Sequence, residues 1–194
     1  VTLHVPETPQ TKDLMGEAWP EFSAELNTVI ADPRNEEAFD RMYRLAKRWD
    51  AEFKVPQYVQ ILSAKQPDNP QLRVVLGLFC KELRDYKQAL LHFRAAMEKA
   101  PNDYYAVYLA AWLLGKQDGE AAFKEAAQLY EKAAGLTGTT NVDHKTRILE
   151  EWGELIVSRA ETGEAAVKNA RASATAIWDR MIAQERQLDH ITYD

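Results

Sequence analysis

Apolar residues recur along this chain three or four positions apart, in blocks separated by Gly, Pro and short polar runs, the pattern of amphipathic helices. Leu14, Met15, Trp19, Phe22, Leu26, Val29 and Ile30 mark one face of a block between Lys12 and Ala31. A helix is expected to restart at Pro20, because proline fits a first turn and disrupts later ones. Phe39, Met42, Ala46 and Trp49 predict a helix from about Asn35 to Asp50, and Tyr58, Val59, Ile61 and Leu62 another from about Lys54 to Gln66. Asn69 ahead of Pro70 reads as an N-cap with proline in the first turn, and Asp85-Tyr86-Lys87-Gln88 as a capping box opening the next helix. Further helices are expected at Asp103 to Lys116, Ala121 to Gly135, Val142 to Ala160 and Glu164 to Leu188, whereas residues 1–11 hold two prolines and no helical period and read as an extended arm.

Superimposed on the helices is a longer period. Pro33, Pro67 and Pro101 stand 34 residues apart, each followed by a polar turn, Arg34-Asn35, Asp68-Asn69 and Asn102-Asp103. Within the middle period Leu76, Gly77, Leu83, Tyr86, Ala89, Phe93, Ala96 and Pro101 form a run similar to the tetratricopeptide repeat (TPR) at most of its signature positions. Ala126, Tyr130 and Ala133 repeat the spacing of Ala89, Phe93 and Ala96, but 37 residues later, with three extra residues around Lys116-Gln117-Asp118-Gly119. The match is best over 70–103, fair over 104–138 and weakest over 36–69, where Val55 replaces a small residue beside Pro56. Arg73 stands where that family prefers a large apolar side chain.

The resemblance implies an all-α fold, a TPR-like right-handed solenoid of antiparallel helix pairs with helical caps. It divides the chain into the arm 1–11, capping helices over 12–34, hairpins over 35–69, 70–103 and 104–138, and a C-terminal capping hairpin over 139–194. Gly77 and Ala89 are expected to let paired backbones approach, with Phe93 and Tyr130 filling the space between one hairpin and the next. The family commonly binds a peptide or helix of a partner along the concave face made by the first helix of each pair. Positions carried over to that face are Asp40, Arg44 and Lys47 with Glu37; Val74, Leu78 and Lys81 with Gln71; and Tyr105, Tyr108 and Trp112 with Gly115. Exposed aromatics in such a wall anchor partners. Two readings stay open for them: an aromatic groove, or a core covered by the C-terminal hairpin. The lysine and asparagine clamp with which one TPR subgroup holds acidic chaperone tails is not matched, since Val74 and Leu78 stand in its place.

With 194 residues and 46% hydrophobic content the chain has ample material for a core. Its net charge of -6 gives no whole-chain footprint for nucleic acid, and acidic membrane surfaces should repel it. No run approaches the roughly 18 apolar residues that a membrane span needs, so no insertion is expected. Cys80 has no second cysteine, which suits a buried, inert thiol and permits a cytoplasmic location. The start at Val1 reads as a processed product or a piece of something longer. His4, His92, His144 and His190 are scattered singly, no phosphate-binding glycine motif exists, and Glu150, Glu151 and Glu154 read as solvated. Neither catalysis, metal nor cofactor is expected. The function expected is non-catalytic protein binding as a scaffold or assembly factor, with a self-assembling homo-oligomeric module, or an enzyme with dispersed residues, as alternatives.

Overall fold

The computed structural model describes residues 14–137, 142–159, 172–180 and 182–183. The expected arm and most of the expected last helix lie outside them. The chain divides into two compact units, Val1–Pro101 and Asn102–Asp194.

In the first unit a 3-10 turn (Gly16–Ala18) leads into α1 (Trp19–Ala31), with Pro20 in its first turn. α2 (Glu36–Arg48) starts where the Ala38 N–H donates to Asn35 Oδ1 at 3.0 Å. Glu36 and Glu37 sit in its first turn and Lys47 and Arg48 in its last, each charge matching the helix dipole. α3 (Lys54–Lys65) follows, then α4 (Pro70–Glu82), opened by Asn69 accepting from Gln71 N–H at 3.1 Å, and α5 (Tyr86–Lys99), opened by Asp85 accepting from Gln88 N–H at 3.1 Å.

α2 and α4 end in the same way. Asp50 and Arg84, themselves 34 residues apart, adopt left-handed backbone at φ of 50° and 61°. Ala51 N–H then donates to Ala46 O and Asp85 N–H to Cys80 O, both at 2.8 Å, with Asp50 and Arg84 N–H reaching Lys47 and Lys81 O at 3.2 and 3.0 Å. These are paired Schellman closures made without glycine.

The core of this unit collects Trp19, Phe22, Phe39, Phe79 and Phe93. Phe39 and Phe79 meet edge to face with centroids 5.5 Å apart, as do Trp19 and Tyr58 at 5.5 Å. α4 packs closely on α5, and a β-carbon at Gly77 would overlap the Phe93 ring. Phe93 therefore fills a slot inside its own hairpin, one that the missing Cβ of Gly77 opens. The hairpin expected over 35–69 is also different. α2 lies close along α1 and α3 along α4, rather than on each other. The buried Val55 beside Pro56 stands where a small residue would have allowed the α2 and α3 backbones to approach.

In the second unit α6 (Tyr104–Gly115) is capped by Asp103, which accepts from Tyr105 N–H at 3.0 Å, and is buried on nearly every side. α7 (Glu120–Leu136) pairs with it, α8 (Val142–Ser158) packs against both, and residues 172–180 are helical. The three additional residues fall in the turn before α7, where Gly119 takes φ of 106°, a value that L side chains rarely adopt. Two glycines mark close approaches to α8 in this unit: Gly115 against Leu155, and Gly153 under Trp178, whose Nε1 would lie 2.6 Å from a Cβ there.

Candidate functional site

The residues expected to face a partner divide sharply by exposure. On α2, Asp40, Arg44 and Lys47 are exposed, with Lys47 5.8 Å from the centre of the Tyr43 ring. Arg41 beside them is already engaged: its Nε and Nη2 donate to Glu25 at 2.6 and 3.1 Å. That engagement holds its guanidinium above the usual range. On α4, Val74 and Leu78 are buried, and Lys81 is half-buried and paired with Glu82 at 3.1 Å. On α6, Tyr105 and Tyr108 are buried, whereas Trp112 is half-buried beneath Lys116, whose Nζ sits 4.3 Å from its ring centre.

What buries the α6 tyrosines is α8. It presents His144, Arg147 and Glu151 at i, i+3 and i+7, one helical face. His144 meets the Tyr104 and Tyr105 rings edge to face, and Arg147 lies 5.4 Å over Tyr108. Tyr108 donates its hydroxyl to Glu151 Oε1 at 3.0 Å and Tyr130 of α7 donates to Oε2 at 3.3 Å. Glu150 and Glu154 are exposed, but Glu151 is drawn into this cluster rather than solvated. Burial pushes the Glu151 carboxyl above the ordinary carboxylate range, and burial together with the Glu151 charge pushes both tyrosines upward. Three perturbed groups converging would suit an active site. Here both hydroxyls are spent on one carboxylate, and burial carries the tyrosines away from any useful proton-transfer range, so the cluster ties α6, α7 and α8 together.

Cys80 and His92 are also shifted by burial. Both are half-buried; burial raises the thiol and lowers the imidazole, leaving each neutral. Among the described residues no group of three or more His, Cys, Asp or Glu side chains is placed to hold a metal ion, and no helix is long and apolar enough to cross a membrane.

A feature that sequence reasoning missed lies on the other face of α8. Phe123 and Ala127 of α7, Trp152 and Ile156 of α8, and Ser173, Ala176, Ile177 and Arg180 of the 172–180 helix line a groove of about 500 Å³. Phe123 and Ala127, Trp152 and Ile156, Ser173 and Ile177, and Ala176 and Arg180 each stand four apart, so apolar ridges of three helices run beside one another. Arg180, exposed, stands 5.3 Å over the Trp152 ring, a cation-π contact. Trp152 is buried, and its Nε1 has no acceptor among the described residues. The signal was present as apolar pairs at i and i+4, but such pairs read the same whether they are covered or left open.

No family model matches the sequence, and neither does any curated protein. Solved structures do. A crystal structure of MamA superposes with a TM-score of 0.61 at 13% identity, covering 96% of this chain and 99% of that one. The fold is similar to MamA. A second MamA crystal structure gives 0.59 at 12% identity over 95% and 94% of the two chains, and a MamA RS-1 ArsTM double mutant gives 0.57 at 16% over 93% and 92%. MamA is a TPR-containing protein, and at these identities the likeness to MamA shows the fold class: all-α, a TPR-like array of antiparallel helix pairs.

Proposed function

We propose that this chain is a divergent TPR protein acting as a non-catalytic interaction module, a scaffold or assembly factor that holds a peptide or helix of a partner protein. The observation that carries this reading is the groove between α7, α8 and the 172–180 helix, where Phe123, Ala127, Ile156 and Ala176 keep exposed apolar surface over the buried Trp152 and Ile177, beside one cation among the described residues, Arg180. Of the first-helix positions, Asp40, Arg44 and Lys47 are open to a partner as a second, charged surface, whereas Val74, Leu78, Tyr105 and Tyr108 lie inside the fold and stabilise it. The alternative of an enzyme loses its best candidate cluster to internal hydrogen bonds.

The test is a comparison of two baits. Ala176 is exposed within the groove, so Ala176→Trp should fill it without disturbing the core. Proteins captured by the wild-type chain and lost from Ala176→Trp, at unchanged melting temperature, are the expected outcome. Identical sets of captured proteins would reject the groove as the interface.

A further inference from the structure

We propose that the occupant of this groove is an acidic amphipathic helix of a partner protein. The inference rests on the groove being the interface. The lining residues of the 172–180 helix run from Ser173 to Arg180, about 10 Å or two helical turns, and each wall presents apolar side chains at helical spacing. A helix laid there interleaves its own i, i+3 and i+4 side chains with those ridges. An extended peptide would bring unpaired backbone N–H and C=O groups into a wall whose polar side-chain groups, among the described residues, are the Ser173 hydroxyl, the Trp152 indole N–H and the Arg180 guanidinium. A helix satisfies its backbone internally.

Charge sets the second half of the proposal. Among the described residues no carboxylate lines the groove; the neighbouring Glu154 and Asp179 are exposed and not among its lining residues. Arg180 is thus a cation beside an apolar surface, with no ion pair to a described residue, and it suits a Glu or Asp flanking the partner's apolar stripe. The chain's net charge of -6 opposes an acidic partner at long range. That opposition is screened beyond roughly 8 Å at physiological salt, so the local cation decides the docked complex.

The experiment uses the full chain and two synthetic helical peptides with the same leucine and alanine stripe, one carrying Glu and the other Lys at the flanking positions, read by fluorescence anisotropy. The Glu peptide should bind about tenfold more tightly than the Lys peptide, Arg180→Glu should invert that order, and Ala176→Trp should abolish both. Equal binding of the two peptides, both blocked by Ala176→Trp, overturns the acidic helix and leaves the groove reading standing. Binding of neither at millimolar concentration, or binding that Ala176→Trp does not touch, overturns both. Competition by decanoate in place of the peptide, or self-association that Ala176→Trp removes in sedimentation runs, would make a lipid anion or a second copy the occupant and overturn the partner helix.

Discussion

The α4/α5 and α6/α7 hairpins are built on the same repeat spacing and reach stability by different routes. In α4/α5 the small-residue slot and the end cap are local. Gly77 opens a slot for Phe93, and Arg84 in left-handed backbone lets Arg84 and Asp85 N–H close the end of α4. In α6/α7 the corresponding positions are Ala111 and Tyr130, and three more residues precede α7. The end of α6 has no left-handed closure and no basic residue in its last turn. Lys116 and Gln117 N–H reach Leu113 and Leu114 O, and Arg159, beyond α8, adds donation to Gly115 O at 3.4 Å and to Gln117 O and pairs with Asp118 at 3.4 Å. Tyr130 likewise turns its hydroxyl to Glu151 of α8. The one hairpin closes the end of its first helix by itself; the other, capped locally at its start by Asp103, takes added support at that end from a residue beyond α8. A repeat near the end of an array differs in this way because it packs against non-repeat chain.

The largest test of that contrast is at Gly77. Gly77→Leu would push into the buried Phe93 ring and should cost about 3 kcal/mol by overpacking, more than helix propensity could return. Ala111→Leu, on a helix buried on nearly all sides, should cost a similar amount. Thermal melts that leave either variant at the wild-type midpoint would show that the small residue is not needed for packing at that crossing.

Next is Arg159→Ala. It removes a charged donor from three acceptors, and a part-exposed charge-assisted set of this kind is worth about 1–2 kcal/mol. The loss should appear in hydrogen exchange as earlier opening of the last turn of α6, with the end of α4 unaffected. Equal change at both ends would mean that the caps are not independent.

Smaller, and opposite in sign, are Asp50→Gly and Arg84→Gly. Each relieves left-handed backbone at a non-glycine residue and should stabilise by up to about 1 kcal/mol. A lowered melting temperature in both would argue that side-chain contacts, not backbone strain, govern these turns.

The smallest effect is at Glu151, and it concerns pH. Its carboxyl is raised in the folded state mainly by burial, so the fold favours the protonated form. That contribution is fully present below the unfolded carboxylate range and is lost as pH rises through the raised folded value. Glu151→Gln should therefore melt at or slightly above the wild type at neutral pH, with the difference shrinking on acidification. A variant that is less stable at pH 7 would show that the two tyrosine hydrogen bonds outweigh the cost of the buried charge.

Much of this architecture was legible from local pattern. Asn69, Pro70 and Asp85 announce helix starts because a cap depends on residues within one turn of it, and the 34-residue proline period announces the hairpins because each repeat is one supersecondary unit. Val55 and Pro56 warned of a poorer first hairpin, though not that α2 would settle on α1 instead. The sites depended on longer-range packing. Tyr105 and Tyr108 carry the same spacing whether open or covered, and α8 covers them, some 40 residues later in the chain. Glu151 looks like Glu150 and Glu154 until the rotation of α8 turns one carboxylate inward. The groove arises from three helices meeting, so no single segment encodes it. Periodicity reports which face of a helix is apolar; what lies against that face is settled by neighbours that local sequence does not name.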